Sequence, residues 1–344
     1  MNRIFDTPTP DLNGTSLLIT GGTGSFGQAF VKNILDHWAP NRIIIFSRDE
    51  LKQYHMEQTI PKEHKDRVRF FIGDVRDPER LELAMREVDI VIHAAALKQV
   101  PAAEYNPFEC VKTNIHGAEN VVKASLRAGV SKIVSLSTDK AASPINLYGA
   151  SKLASDKIFV AANNISGSQD TRFSVVRYGN VIGSRGSVIP YFKQLITNGV
   201  ESLPITHPEM TRFWITLQQG VNFVLSSLSI MNGGEIFVPK IPSMKVVDIA
   251  KTLAPDLNHN IVGIRPGEKL HETMITIDDG RTTLELKDRY VIEPAFAFWS
   301  NAHLKSSSDV GPVDENFEYS SNNNTEWLSV DDLNQMIMDI ELND

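Results

Sequence analysis

The chain has 344 residues, 42% hydrophobic and 22% charged, an ordinary globular balance with length for one large domain or two smaller ones. A net charge of -8 without any basic block argues against a nucleic-acid partner. A single cysteine, Cys110, excludes an internal disulfide framework. Neither an apolar leader in MNRIFDTPTPDLNG nor a run of ~18 apolar residues marks export or a membrane span, so a cytoplasmic, soluble protein is expected.

Short apolar runs occur at 16–20 (SLLIT), 42–47 (RIIIFS), 68–73 (VRFFIG), 89–94 (DIVIHA), 132–136 (KIVSL) and 173–178 (FSVVRY). Several are β-branched on both faces, as parallel strands covered on both sides require. Amphipathic stretches such as 78–87 and 118–128 lie between them. This alternation predicts an α/β fold, a doubly wound parallel Rossmann sheet. The sheet domain is expected over 1–183 and completed by part of 214–242. A smaller interleaved C-terminal lobe takes 184–213 and 243–344. Within these later segments, 217–231 and 244–253 read as helices and 235–239 as a strand. A last helix over about 330–340 is capped by Ser329 and Asp332.

The first run leads into TGGTGSFG (20–27) and then a helix. Gly21, Gly24 and Gly27 permit a tight turn and close approach of a diphosphate to backbone N–H groups at a helix N-terminus. Thr23, Ser25 and Phe26 belong to the same turn. The competing reading is a merely structural turn; the strand before it and helix after it favour a dinucleotide site. The second run ends in FSRDELK. Ser47 and Arg48 offer a hydroxyl and a guanidinium, suited to a 2′-phosphate, with Lys52 adding charge and Asp49, Glu50 and Leu51 in the adjoining turn. NADP is therefore favoured over NAD; the alternative for Arg48 is a solvated surface residue. Asp74 and Val75 after the third run, and Ala94 after the fourth, fall at the same sheet edge, where open α/β sheets bind ligands.

The fifth run leads into STDKAASPINLYGASK (137–152). Tyr148 and Lys152, four apart, share a helix face. A nearby cation lowers a phenol pKa, so Tyr148 is a candidate base for an alcohol whose hydride leaves to a nicotinamide, with Thr138 on the reacting hydroxyl. Asp139 and Lys140 form an unexpected second acid/base pair beside this site. His93 and His271 read as structural, and no His/Cys cluster has metal spacing.

These motifs together resemble the extended short-chain dehydrogenase/reductase superfamily, and within it the sugar-nucleotide 4,6-dehydratases, most of all those that invert C5 of UDP-N-acetylglucosamine at the start of pseudaminic acid synthesis. The likeness runs through HAAALKQVPAAEYNP, STDKAASPINLYGASK, SVVRYGNVIGSRGSVIP, MTRFWIT, GGEIFVPKIPSMK and IRPGEKLHE, and covers most of the chain. It implies oxidation at C4 by Tyr148 and Lys152, then loss of water from C5 and C6. Retaining relatives carry Asp-Glu where this chain has Asp139-Lys140. The resemblance makes Lys140 the base at C5 and Asp139 the acid at the C6 hydroxyl. Lys140 must then lose its proton, for which burial and nearby cations such as Lys152 are expected to lower its pKa. Its competing role is a salt bridge to Asp139 or a phosphate contact. The resemblance also implies Lys98, Thr113 and Val181 near the cofactor. Lys98, Asn180, Arg185, Thr206, Arg212, Arg265 and Glu268 are implied on the UDP-sugar, although each Arg could be a structural ion pair. It implies a homo-oligomer, with a hexamer as one form. The other readings are a UDP-hexose 4-epimerase and a non-catalytic NADP sensor of the same fold.

Overall fold

A computed structural model describes residues 3–167, 169–184, 186–296 and 310–341. The six runs form β1 (Ser16–Thr20), β2 (Arg42–Ser47), β3 (Val68–Ile72), β4 (Ile90–His93), β5 (Lys132–Thr138) and β6 (Arg172–Tyr178). They pair in parallel in the order β3-β2-β1-β4-β5-β6, and Ile236–Pro239 continues beyond β6. β1 and β4 are buried at every residue, which their continuous apolar sequence anticipates. β3 closes the edge and is only partly buried, with Ile72 exposed. Strand order reverses between β1 and β4, which opens a crevice at their carboxyl ends. The doubly wound expectation therefore holds.

The sheet extends further than the sequence reading placed it. Arg289–Ile292 pairs antiparallel with Ile236–Pro239, followed outward by Thr283–Glu285 and Gly311–Pro312. Part of 243–344 therefore belongs to the main sheet rather than to the lobe. These strands are three residues to four residues long or shorter, too short for alternation to register. The lobe has its own core, in which Phe192, Trp214, Ile249 and Met336 are buried together. The last helix, Val330–Glu341, packs into that core. Its start is capped as expected: Asp332 N donates to Ser329 Oγ at 3.1 Å and Ser329 N to Asp332 Oδ2 at 3.0 Å.

Seven helices connect or flank the first strands: α1 (Ser25–His37), α2 (Glu50–Thr59), α3 (Pro78–Ala84), α4 (Val100–Tyr105), α5 (Pro107–Val111), α6 (Gly117–Ala128) and α7 (Leu147–Ala162). At the start of α1, a Cβ on Gly27 would lie 2.3 Å from the Gly22 carbonyl oxygen, so only glycine lets the helix approach the turn. α7 is capped by Asn146, whose Oδ1 accepts from Gly149 N at 2.7 Å. Gly149 also meets Lys140: an added Cβ would sit 2.2 Å from the Lys140 carbonyl oxygen. Glycine next to Tyr148 thus allows α7 to lie directly on the Asp139–Ala141 turn.

His93 ends β4 and links it to β1. Its Nδ1 lies 2.8 Å from Thr20 Oγ1, and that oxygen accepts from Ala94 N and Ala95 N at 3.2 Å each. Thr20 therefore donates to a neutral imidazole. Burial first, and the Lys152 ammonium second, push the His93 pKa down to about 3.

Two predictions follow from this packing. Gly149→Ala should cost about 1–3 kcal/mol in urea unfolding, because two backbones must separate; an unchanged midpoint would show that the contact is slack. His93 gains no proton in the folded state between pH 6.5 and 3, while the unfolded chain does, so its contribution to stability falls as pH drops through that window. Between pH 6.5 and 5, the native protein should lose about 1.5–2 kcal/mol more than His93→Asn, which keeps an acceptor for Thr20. Parallel pH curves would mean that His93 protonates without resistance in the fold.

Candidate active site

The expected nucleotide residues collect at the carboxyl edge of the sheet. Gly21, Thr23, Gly24, Ser25, Phe26 and Gly27 form the β1–α1 junction, and Ala94 follows β4. At the end of β2, the Ser47 hydroxyl is buried and accepts from Gln53 Nε2 at 3.0 Å. Arg48 is half exposed and lies 3.5 Å from Asp74. Arg76, not singled out in the sequence, binds the same carboxylate through Nη2 at 2.6 Å, which brings two guanidiniums together. Burial opposes the charge of Asp74, but Arg76 and Arg48 together outweigh it and hold the carboxyl below the usual carboxylate range. Lys52 is drawn to Asp49 at 3.1 Å, while Asp49 caps α2, so its charge is partly answered locally. Glu50 and Leu51 point their helix turn to solvent. Val75 is buried, and Val181 is half-buried.

Between α5 and α6 the helix widens into a π turn, Lys112–His116, a device frequent at functional sites. It buries Thr113 and Asn114. The Thr113 hydroxyl is buried without a hydrogen-bond partner. Asn114 Oδ1 accepts from Leu97 N at 2.8 Å, and Nδ2 donates to Leu97 O and Ser151 Oγ at 2.9 Å each. This fixes the HAAALK loop, and with it Lys98, against α7. Burial lowers the Lys98 pKa.

The chemical residues come together where β5 ends. Thr138 Oγ1 donates to Asp139 Oδ1 at 2.9 Å. Lys140 Nζ donates to the same Oδ1 at 3.1 Å and lies 3.2 Å from Glu272 Oε1. Asp139 and Glu272 are almost fully buried, at 1% and 2% exposure, whereas a quarter of the Lys140 side chain remains open. The expected lowering of the Lys140 pKa is not found. Burial does oppose its charge, but Asp139 and Glu272 together outweigh both burial and the repulsion of Arg212, and hold the ammonium above the ordinary lysine range. The resting pair is an ion pair because the relevant neighbours are carboxylates, not Lys152.

Tyr148 is buried, and burial pushes its phenol up to about 12; Lys140 and the Thr138 hydroxyl pull it back. The cation acting on it most is Lys140, rather than the expected Lys152. Lys152 is buried one turn further along α7, with its pKa lowered by burial and supported by Asp156. Asp156 accepts from Ser137 Oγ at 2.8 Å and from Arg177 Nη2 at 3.2 Å. Arg177 in turn donates to Met274 O at 2.8 Å. Tyr148, Lys152 and Asp156 recur every four residues on the buried face of α7, a signal the sequence carried beyond its first two members.

The segment 264–272 folds back over this turn from more than a hundred residues away. Asn146 Nδ2 donates to Gly267 O at 2.8 Å, Lys269 Nζ to Ala142 O at 2.6 Å, and Glu272 reaches Lys140. Glu272 was not singled out from the sequence, and only its place at the end of IRPGEKLHE could have drawn attention to it. Among the expected sugar-nucleotide residues, Arg265 is exposed and 3.7 Å from Glu268. One Glu268 oxygen is buried without a hydrogen-bond partner. Asn180 and Thr206 are half-buried at the lobe's strand ends. Arg185 lies outside the described residues. Arg212 departs from the expected diphosphate contact: it is buried, its Nη atoms donate to Thr211 O, Leu270 O and Lys269 O at 2.7–3.1 Å, and its Nε is 3.8 Å from Glu272. These partners leave it a supporting part of the charge cluster. Among the described residues, no group of His, Cys, Asp and Glu is arranged to hold a metal ion, and no helix is long and apolar enough to cross a membrane.

Residues 17–294 match the family described as polysaccharide biosynthesis protein. An inverting UDP-N-acetylglucosamine 4,6-dehydratase of Campylobacter jejuni subsp. jejuni (serotype O:23/36, strain 81-176) is 57% identical over 94% of this chain and 98% of its own. A UDP-glucose 4-epimerase of Rickettsia canadensis is 42% identical over 80% of this chain and 82% of its own. Among solved structures, Pen from Bacillus thuringiensis superposes with a TM-score of 0.86 at 34% identity, covering 96% of this chain and 99% of that one. With its Rossmann sheet, glycine turn and Tyr148/Lys152 helix, the chain belongs to the polysaccharide biosynthesis protein family, on the extended short-chain dehydrogenase/reductase fold.

Proposed function

We propose that this protein is an NADP-dependent UDP-N-acetylglucosamine 4,6-dehydratase that inverts C5 and forms UDP-2-acetamido-2,6-dideoxy-β-L-arabino-hex-4-ulose, the opening step toward a pseudaminic-type sugar. The observation that carries this reading is the Asp139–Lys140 pair, 3.1 Å apart, beside Tyr148 and Lys152. A 4-epimerase needs oxidation and reduction at one carbon and has no use for a second acid/base pair. The name of the Campylobacter relative supports the same choice.

The residues that fit NADP are the Gly21–Gly27 turn at the N-terminus of α1, the guanidiniums of Arg48 and Arg76, and the partnerless buried hydroxyl of Thr113. Bound NADP supplies the taking of a hydride from C4 and its return to C6, and its ring charge favours the Tyr148 phenolate. Tyr148 accepts the C4 hydroxyl proton, with Thr138 and Lys152 beside it. The resulting ketone acidifies the C5 hydrogen. Lys140 as amine takes that proton, while Asp139 as acid gives one to the departing C6 hydroxyl. The resting ion pair becomes this reactive pair when one proton passes from Nζ to Oδ1 along their hydrogen bond, with no change in proton count. A proton from solvent delivered to the other face of C5 inverts that centre, and Tyr148 returns the C4 hydroxyl proton to solvent, which leaves Asp139 and Lys140 again as the resting ion pair. Lys98, Asn180, Thr206, Arg265 and Glu268 are the residues we assign to the UDP-sugar.

Incubation of the protein with NADP and UDP-N-acetylglucosamine should give a 4-keto-6-deoxy sugar by NMR. Lys140→Ala should still bind cofactor and oxidise C4, seen as nicotinamide absorbance, but should release no dehydrated product. Formation of UDP-N-acetylgalactosamine alone would mean an epimerase, and undiminished dehydration by Lys140→Ala would remove that residue from the mechanism. Arg48→Ala should weaken NADP about 10- to 100-fold, the loss of a charge-assisted phosphate contact, and leave NAD nearly unaffected. Equal losses for both cofactors would place Arg48 away from the 2′-phosphate.

A further inference from the structure

Glu272 is a buried carboxylate on which three cations converge from separate stretches of chain. Its Oε1 is 3.2 Å from Lys140 Nζ and 3.8 Å from Arg212 Nε, and its Oε2 is 3.9 Å from Lys269 Nζ. Oε2 has no hydrogen-bond partner although it is buried. Structural need alone does not account for this placement. Arg212 is already held by three backbone carbonyls, and Lys269 by Ala142 O. What Glu272 adds is a second anion on Lys140.

The consequence rests on the reading under Proposed function. For elimination, Asp139 must be protonated and Lys140 neutral. As the C5 hydrogen moves to Nζ, positive charge grows there while Asp139 is still giving up its own proton. During that interval Glu272 is the neighbouring anion that can answer the new charge. We propose that Glu272 is a positioning residue of the elimination step, which fixes the Lys140 amine and stabilises the ammonium formed when the C5–H bond breaks. It acts through Lys140 and does not touch the sugar.

The same anion opposes the initial loss of the Lys140 proton, so its removal has two effects of opposite sign. The groups acting around this nitrogen are Asp139 and Glu272, Arg212 and Lys269 through Glu272, the Tyr148 phenol with its Thr138 hydroxyl, and His271 through Arg212. Neutralising Glu272 removes one of the two anions on Lys140 and leaves Arg212 and Lys269 unanswered there, so its amine forms at lower pH.

The test uses the full-length protein with NADP, comparing Glu272→Gln and Glu272→Asp with the native chain. For dehydration of UDP-N-acetylglucosamine, Glu272→Gln should lower the limiting rate about 100-fold, the scale of one lost electrostatic stabiliser. Its rate should level off about one pH unit or more lower. Glu272→Asp keeps the charge and should recover most of the rate with the native pH profile. Independently of turnover, an amine-acylating reagent should label Lys140 about tenfold faster in Glu272→Gln at fixed pH, as one pKa unit implies, read by peptide mass spectrometry. An unmoved profile with unchanged labelling overturns the inference, as does equal loss in both variants with the native profile. A native protein that dehydrates no UDP-N-acetylhexosamine defeats the proposed function instead, and the labelling ratio still decides whether Glu272 sets the charge of Lys140.

Discussion

The site is organised around one ammonium held between two buried carboxylates. Removing Lys140 and its partners from water costs several kcal/mol per ion. At an effective dielectric near 20, each contact at 3.1–3.2 Å returns roughly 5 kcal/mol of attraction, so the two carboxylates together keep the ammonium charged against its own desolvation. That balance requires three distant pieces of chain to meet. β5 delivers Asp139 and Lys140, α7 must lie on their turn through Gly149, and segment 264–272 must fold back to bring Glu272. The tethers from Asn146 to Gly267 and from Lys269 to Ala142 hold that last piece in place.

Helix α7 separates two kinds of chemistry. Its Tyr148 end faces the Asp139–Lys140–Glu272 cluster, while one turn later Lys152 is backed by the buried Asp156–Arg177 pair and lies near His93. The two lysines therefore answer to different anions. Lys152 keeps a lowered pKa because burial prevails there, whereas Lys140 has it raised because carboxylates prevail. A hydride-transfer site needs only the Lys152 arrangement. In the proposed reaction, the added acid/base pair is what converts a transient ketone into a route for expelling water.

Much of this was legible in the sequence. The β-branched runs fixed the parallel strands because burial on both faces leaves no polar alternation. STDK a short loop before YGASK placed two acid/base pairs near one strand end. What the sequence left open depends on long-range contacts. Glu272 looks like any surface charge until the fold brings it to Lys140, and Arg212, implied on the UDP-sugar, is drawn to Glu272 instead. Three short antiparallel strands in 283–312 join the sheet through pairing, not through any periodicity of their own. The Lys140 pKa went the other way from expectation because two carboxylates outweigh burial: the adjacent Asp139, in the salt bridge that was the competing reading, and Glu272, brought from across the fold. Tyr148 and Lys152 share a face as their spacing dictates, yet the stronger pull on the phenol comes from Lys140.

In the proposed reaction Lys140 takes the C5 proton and C5 is then protonated on its other face. Turnover of UDP-N-acetylglucosamine in deuterated water, with the product resolved by NMR, tests it directly. A 4-keto-6-deoxy product carrying deuterium at C5 in the inverted configuration is expected. A product with C5 undeuterated, or deuterated with retained configuration, would contradict it.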